Sequence, residues 1–579
     1  MAEPLLNKRS LYLQRRMALE SERASFISHW QELSKYFLPR SGRFLISDRN
    51  KGDKRFNNIY DNTGTRALRV LSAGLMSGMT SPARPWFRLA TRDKSLMDYG
   101  PVKQWLDDIT SLMRDIFNQS NTYRALHSIY EELGVFATGA SLILEDFDDV
   151  IRHYTLTAGE YALGLNDRLE VDTMVRTFEM TVAQIVKRYA VQREKSGSLD
   201  FSRISTSVKN LYDGGKGLDS WIPVMQIIEP RVDRDIYKRD AKNMAFASCM
   251  MELGADNDKV LNESGYKRFP VIAPRWFTSG NDIYGTTCPG MEALGDCKQL
   301  QHGQLRKAQG IDYMVKPPIQ VPNGTKSYEI DQLPGGVSVT NMAGGANAGA
   351  KTLFDVKLDL SGQLEDIRDV RERIRQTFYA DLFLLLAMDD KNQPDTARAV
   401  AEKHEEKLLM LGPVLERLHN ELLKQKINLT FDRMVEAGIV PPPPPEMHGQ
   451  ELNVEFVSML AQAQRAIGTQ SIDRYVGSLG VIAQFKPDVL DKFDSDRWAD
   501  KYGDMLGVDP DLIVADDKVA IIRENRAKVQ QAQAAAAAAE QAANTAKAAS
   551  QAQTSQPSAL TDVMSTLTGY SGPGIPNAA

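Results

Sequence analysis

Apolar residues recur at helical spacing across residues 5–37, and the same period returns at 62–79, 100–118 and 121–137. The second of these predicted helices opens at Asp61 or Thr63 as a cap. Within it Ala73, Gly74, Ser77 and Gly78 place small groups on one face, which allows close backbone approach and is read as tight packing inside the protomer. From Ser141 to Phe277 the period shortens. Segments 141–147, 150–156, 171–179, 222–229, 244–252 and 268–276 are short, β-branched or aromatic and partly alternating, as strands are. Helical pieces at 182–190 and 202–212 interrupt them, the first carrying Val182, Ile185, Val186 and Tyr189 behind a Thr181 cap. The lobe reads as α+β with meandering strands.

Helical order resumes after Tyr284-Gly285 and Cys288-Pro289, with Met291, Leu294, Cys297 and Leu300 three residues apart and Leu305 and Ala308 continuing the face. Pro317-Pro318 ends this helix. Pro322-Asn323-Gly324 and Pro334-Gly335-Gly336 then punctuate short strands, and 343–350 is nearly all Gly, Ala and Asn. A further helix is predicted over 362–386, its stripe being Leu364, Ile367, Val370, Ile374, Phe378 and Leu382, with a length of roughly 37 Å. Two helices around a strand-and-turn insertion make an antiparallel pair with a tip. A polar turn from Ala387 to Pro394 leads into a long helix to about Lys426, with Ala397, Val400, His404, Leu408, Leu411, Leu415, Leu418 and Leu422 on one face and a kink expected at Pro413. Pro441–Pro445 reads as a stiff spacer and boundary, and 450–525 as several helices. The Ala- and Gln-rich stretch 530–551 favours helix yet has almost no large side chain with which to pack. Residues 555–579 read as disordered.

Composition narrows the function classes. With 579 residues, 42% hydrophobic and 25% charged, the chain is long enough for several lobes of an ordinary globular protein. A net charge of −5 argues against a tight, sequence-tolerant nucleic-acid binder, whose affinity comes from neutralising phosphates. Cys249, Cys288 and Cys297 form no C-x-x-C pair, so neither a disulfide framework nor a thiolate zinc site is expected, and a reducing compartment is. The basic N-terminus lacks an apolar segment of the secretory kind, and no run of about 18 apolar residues is present, so a soluble, cytosolic protein is expected.

Tests for chemistry come back empty. Asp213-Gly214-Gly215-Lys216-Gly217 lacks the spacing of a phosphate-binding loop, and the glycines at 344–345 and 349 lack the following lysine and hydroxyl. Glu402, His404, Glu405 and Glu406 cluster, but a second histidine one turn on is missing, and His127 with Glu131 is an ordinary helical pair. Asp146, Asp148 and Asp149 sit in a predicted hairpin turn, where solvated acids are common. No cofactor, no metal and no catalytic residue is expected. The basic loop Arg40–Arg55, with Arg43, Arg49, Lys51, Lys54, Phe44 and Phe56, fits a nucleic-acid contact, a solvated loop, or a contact with an acidic neighbouring subunit.

The order of landmarks resembles that of the head-to-tail connector, or portal, proteins of short-tailed bacteriophages. Trp30, Tyr36, Leu38 and Pro39 precede a basic loop. Then come Ile59-Tyr60-Asp61-Asn62-Thr63, Ala73-Gly74-Leu75, Ser77-Gly78, Pro82 and Pro85-Trp86-Phe87, with Leu411-Gly412-Pro413 far downstream. Asp395-Thr396-Ala397-Arg398 departs from the Thr-Ala-Thr-Glu that relatives often carry there. The resemblance covers about residues 5–525. It implies a predominantly helical α+β fold, with a wing at 1–284 and 395–445, stem helices at 285–316 and 362–386, a clip at 317–361 and a tunnel loop at 387–394. A crown at 446–525, an Ala/Gln-rich barrel helix at 526–554 and a disordered tail at 555–579 complete it.

It further implies a homo-oligomeric ring, usually of about twelve copies, at one vertex of the virion, assembled in the host cytoplasm, through which double-stranded DNA is packaged and ejected. Implied partners are the major capsid protein, scaffolding protein, terminase large subunit, tail adaptor and tube proteins, internal core proteins and double-stranded DNA without sequence preference, with no membrane. The implied site residues are Asp389, Asp390, Lys391, Asn392 and Gln393 in the tunnel loop. Arg371, Glu372, Arg373 and Arg375 are candidates for the stem lumen, where interleaved acids suit weak contact, and Pro322, Asn323, Gly324, Lys326 and Tyr328 for the clip. The rival readings are a Mg²⁺-dependent nuclease or ATPase, which the missing motifs disfavour, and an internal core or ejection protein that meets membrane, for which the Ala/Gln tail lacks basic and aromatic residues.

Overall fold

The computed structural model describes residues 7–551 except 48–51, 53–54, 98, 193–198, 239, 256–258, 316–318, 321–350, 353–359, 388–410, 448, 450–451, 459, 461–471, 473–474, 507–513 and 515. The chain divides into two compact units, Met1–Leu490 and Asp491–Ala579.

In the first unit, helix α1 (Lys8–Tyr36) buries Tyr12 and Leu19 near its start and Trp30 and Leu33 near its end. Helix α2 (Thr63–Met79) runs through the main core with Ala67, Leu68, Leu71, Leu75 and Met79 buried. Its small face is a landing strip: a methyl on Gly74 would collide with Phe383, and one on Gly78 with Leu460. After β1 (Phe87–Thr91) come α3 (Gly100–Gln119) and α4 (Thr122–Phe136), and Trp86 stacks on Phe117 at 5.9 Å.

Two antiparallel sheets follow. Strands β2 (Ala140–Asp146), β3 (Val150–Leu156) and β9 (Val271–Ile272) form one sheet in the order β9-β2-β3. Strands β4 (Tyr161–Leu165), β5 (Val171–Thr181), β6 (Trp221–Pro230), β7 (Phe246–Glu252) and β8 (Asn262–Tyr266) form the other, ordered β8-β7-β6-β5-β4. Alternation sets its faces. Met225 and Ile227 pack toward Tyr12 and Leu19 of α1, while Val224 joins α5 (Val182–Tyr189) and α6 (Thr206–Asp213) in a separate cluster. Thr181 caps α5 as expected, and Gln184 completes a capping box with it. The segment expected as a strand at 268–276 is extended only at Val271–Ile272, and β4, β8 and β1 are strands the periodicity does not announce.

Helix α7 (Leu294–Val315) lies beside α8 (Leu360–Thr377). Arg373 meets Asp296 at 3.2 Å and Gln299 meets Asp366 at 3.5 Å, so the two run antiparallel. The single helix expected over 362–386 is instead two. Tyr379 takes a left-handed backbone conformation (φ 53°), and α9 (Ala380–Ala387) starts afresh beyond it. The break lets Phe378 stay against Phe37, ring centres 5.4 Å apart, while Phe383 reaches Gly74. Of the expected stripe, Leu364 is exposed and Ile367, Val370, Ile374, Phe378 and Leu382 are buried.

The helix expected to end near Lys426 continues. A π turn at His419–Lys424 leads into α10 (Gln425–Glu436). The Pro441–Pro445 spacer is not where the chain leaves the core. Trp105 Nε1 donates to the Pro441 carbonyl at 3.1 Å, Met447 is buried, and β10 (Leu452–Phe456) pairs antiparallel with β1, Phe87 opposite Phe456. Residues 452–456 belong to the first unit, paired with β1.

In the second unit, α11 (Ser495–Leu506) and α12 (Asp516–Gln551) are joined by a bidentate Arg523–Asp496 pair at 2.6 and 2.7 Å. Residues 520–545 of α12 are exposed throughout. None of the helices described is long and apolar enough to cross a membrane.

Candidate functional site

The root of the α7–α8 pair is built around one carboxylate. Asp61, 8% exposed, stands one residue before Asn62, which takes the cap position of α2 expected for Asp61 or Thr63. Its Oδ1 accepts from the Thr63 amide at 2.9 Å and the Thr63 hydroxyl at 2.5 Å, which satisfies orphan donors at the helix start. Its Oδ2 accepts from Gln304 Nε2 of α7 at 3.1 Å and from Arg371 of α8, Nη2 at 2.6 Å and Nε at 3.0 Å. Gln301 completes the node: its Oε1 accepts from the Tyr60 and Asp61 amides at 2.6 and 2.8 Å, and its Nε2 donates to the Asp61 carbonyl at 2.8 Å. Burial pushes the Asp61 carboxyl up. The bonds from Thr63 and the Arg371 guanidinium outweigh this and hold it below the ordinary range.

The approach to α7 is also anchored. Leu163 N–H donates to Tyr284 Oη at 3.0 Å, and Gly285 N–H to Thr138 Oγ1 at 2.8 Å. Gly285 and Gly290 approach the backbone of Ala137 and Val135 too closely for a side chain. The Tyr284-Gly285 and Cys288-Pro289 landmarks thus seat the start of α7 on the end of α4.

Of the residues singled out for the stem, Arg371 is the one that faces inward at this node. Arg373 lies between Asp369 (2.8 Å) and Asp296 (3.2 Å), and Arg375 pairs with Glu372 at 3.6 Å, all substantially exposed. The exposed face of α8 carries both signs. Asp389, Asp390, Lys391, Asn392 and Gln393, and Pro322, Asn323, Gly324, Lys326 and Tyr328, lie outside the described residues, as do Arg49, Lys51, Lys54 and the Glu402–Glu406 cluster. In the basic loop Arg43 is held by Glu160 at 2.6 Å. The acidic turn folds onto itself, Asp146 Oδ1 accepting from the amides of Asp148 and Asp149. Among the described residues no group of three or more His, Cys, Asp or Glu is arranged to hold a metal ion.

Two buried ionisable groups escape sequence reasoning. Glu132 of α4 accepts from Thr157 Oγ1 at 2.7 Å and the Ala158 amide at 3.1 Å, and burial pushes its carboxyl up to about 8. Lys426 of α10 is fully buried, 5.3 Å above the Phe117 ring, with no hydrogen-bond acceptor for its Nζ among the described residues. Burial drives its amine well below its usual range; it lowers His153 too, with the Lys426 charge adding to the effect. The signal for Gln301 was present in the sequence: an amide falling on the apolar phase set by Leu294, Cys297 and Leu300.

Comparison with known proteins places the chain in a family. The family model described as bacteriophage head to tail connecting protein matches residues 9–514. The "Probable portal protein" of Bordetella phage BPP-1 is 56% identical over 97% of this chain and 99% of its own length. The "Portal protein" of Salmonella phage epsilon15 is 44% identical over 89% of this chain and 90% of its own. A solved chain from the virion of a native gene transfer agent particle matches 81% of this chain and 96% of its own at 10% identity, with a TM-score of 0.33. This chain belongs to the bacteriophage head-to-tail connecting protein family.

Proposed function

We propose that this chain acts as a phage portal: about twelve identical copies closing into a ring at one capsid vertex, with double-stranded DNA passing along the axis in packaging and ejection. The observation that carries the reading is identity along nearly the whole length to phage proteins that bear the portal name. The node supports it mechanically. A helix pair that projects from a wing must be rigid at its root, and Asp61, Gln301, Gln304 and Arg371 fix two helices and the start of a third in one hydrogen-bonded cluster.

In this reading the protein makes and breaks no bonds of its own. The α7–α8 pair is the stem, and the mixed signs of Asp369, Glu372, Arg373 and Arg375 suit a wall past which DNA slides without sticking. Residues 317–361 are the clip that docks the terminase and later the tail, 387–394 the tunnel loop, and α12 the barrel inside the head. Electron micrographs of the purified protein test the core of this: rings with a central hole are expected, and compact particles without one overturn it. Deleting 317–361 is expected to leave rings intact while abolishing terminase binding; loss of rings would refute that division of labour.

A further inference from the structure

One side chain closes the free edge of the three-stranded sheet. In the order β9-β2-β3, β2 takes one side of β3, and no strand among the described residues takes the other. An unpaired edge is a template for another chain, and Val150-Ile151-Arg152-His153-Tyr154-Thr155-Leu156 is rich in the branched and aromatic residues that pair readily. The register fixes which backbone groups face outward. His153 lies opposite Ile143, whose amide points away from β3 to the Pro270 carbonyl at 2.9 Å, so these two residues exchange no ladder bonds. The backbone groups of Ile151, His153 and Thr155 therefore face the open edge. Two of these positions are taken from within the chain. The Ile151 amide donates to the Asp149 carbonyl at 2.7 Å, across Val150 in a left-handed conformation (φ 66°). At His153 one side chain takes both groups: the amide donates to Asn121 Oδ1 at 2.9 Å, and Asn121 Nδ2 donates to the His153 carbonyl at 2.8 Å. A further strand would make this same pair of bonds. Asn121 stands at the cap position of α4, where an asparagine ordinarily accepts from the amides of its own helix, and it makes no such bond.

We infer that Asn121 is an edge guard: its side chain fills the pairing groups at the centre of β3 and keeps the sheet from adding the same strand of a second copy. Two identical β3 edges are self-complementary when they meet antiparallel about a two-fold axis. Such a contact would compete with the heterologous contacts that close a ring, although the guard itself does not depend on the ring reading. Thr155, the third outward position, borders a cavity of about 320 Å³ together with Glu160, Arg176 and Phe178, so the edge can be reached beside the guard.

The test uses the full chain and a fluorescein-labelled peptide with the sequence of residues 150–156. The unsubstituted protein is expected to bind it no better than a scrambled peptide. Asn121→Ala is expected to bind it severalfold better and to give severalfold more sedimenting aggregate. Adding Thr155→Pro to Asn121→Ala removes an outward amide, leaves the ladder to β2 intact, and is expected to abolish both effects. An Asn121→Ala protein that melts lower, yet neither binds the peptide nor aggregates, would make Asn121 a mere tie between α4 and β3 and overturn the guard. Peptide binding that Thr155→Pro leaves unchanged, or that the unsubstituted protein matches, would overturn it as well. A measurement on the unsubstituted chain needs no variant to fold: the His153 amide is expected to exchange with heavy water severalfold more slowly than the Thr155 amide, and equal exchange overturns the inference.

Discussion

Arg371 Nη2 lies 2.6 Å from Asp61 Oδ2, yet the two partners are not equals in this pair. The Arg371 side chain is 38% exposed, whereas that of Asp61 is 6% exposed and is also bonded to Thr63 and Gln304. Arg371→Ala leaves the carboxylate with three other donated bonds and opens the arginine's place to water. A loss of about 1 kcal/mol is expected, at the scale of partly exposed pairs. Asp61→Asn puts an amide donor among donors and strands the Gln304 and Arg371 groups; about 2–3 kcal/mol is expected. Thermal melting of the two variants checks the ordering, and equal losses would show that the pair, not the carboxylate hub, carries the root. Because the Asp61 pKa is depressed in the fold, its contribution is present above pH 3.8 and lost as pH falls through the depressed value. The unsubstituted chain and Asp61→Asn are therefore expected to converge in stability under strong acid.

Glu132 behaves in the opposite sense. Its carboxyl, raised from 4.5 to about 8 by burial, holds a proton in the folded chain that the unfolded chain has already released at neutral pH. The stabilisation from this group is complete below pH 4.5 and is lost as pH rises through about 8. Glu132→Gln keeps an acceptor for the Ala158 amide and a donor for Thr157 Oγ1, and cannot ionise. The variant's melting temperature relative to the unsubstituted protein is expected to climb between pH 5 and 9. A constant offset would place the relevant titration elsewhere.

Lys426 is the residue in the described core that most contradicts its surroundings. It follows Leu422 and Leu423 on the buried side of its helix, and among the described residues its amine meets an aromatic face and no acceptor. Lys426→Met keeps the length of the stem and removes the polar atom. A gain of about 1–3 kcal/mol at neutral pH is expected, the scale for an uncompensated buried polar group. Since the amine is depressed in the folded state, the penalty grows as pH falls below 10.5, and the advantage of Met is expected to shrink as pH approaches that value. Denaturant midpoints at pH 7 and 10 measure both. A destabilised methionine variant would mean that the cation–aromatic contact with Phe117 is worth more than the desolvation it requires.

How much of this was legible in the sequence depended on distance along the chain. Helices α1, α2, α3 and α4 lie within a few residues of where their periodicity puts them, because each buries its own stripe over many turns. The Thr181 cap was legible since its chemistry is complete within four residues. By contrast, β1 and β10 are five residues each and find one another across more than 350 positions, so neither has a local signature. The helix break at Tyr379 was hidden for a related reason: Phe378 and Leu382 keep helical spacing across it, and only the positions of Phe37 and Gly74 reveal that one straight helix could not serve both. Tyr60-Asp61 was visible as a landmark, but its role needed Gln301, Gln304 and Arg371, which arrive from 240 to 310 residues away.

The small face of α2 gives a contrast between two glycines. At Gly74 the added Cβ would meet Phe383 at its Cβ, Cγ and Cδ1, the root of the side chain, so the ring cannot swing aside without moving α9. Gly74→Ala is expected to cost about 1–3 kcal/mol through overpacking. Phe383→Ala in the Gly74→Ala chain is expected to cost less than Phe383→Ala alone, because it removes the Cγ and Cδ1 atoms that the new methyl would meet. Gly303, in the interior of α7, has only Ile367 Cγ1 at 3.9 Å near the same construction. There an alanine is expected to stabilise by about 0.5–1 kcal/mol, since glycine carries an entropic cost in a helix and the space is open. Melting temperatures moving in opposite directions would show that close approach of α9, and not a general requirement for glycine, explains the small face of α2; a fall in both would place the intolerance in the helices themselves.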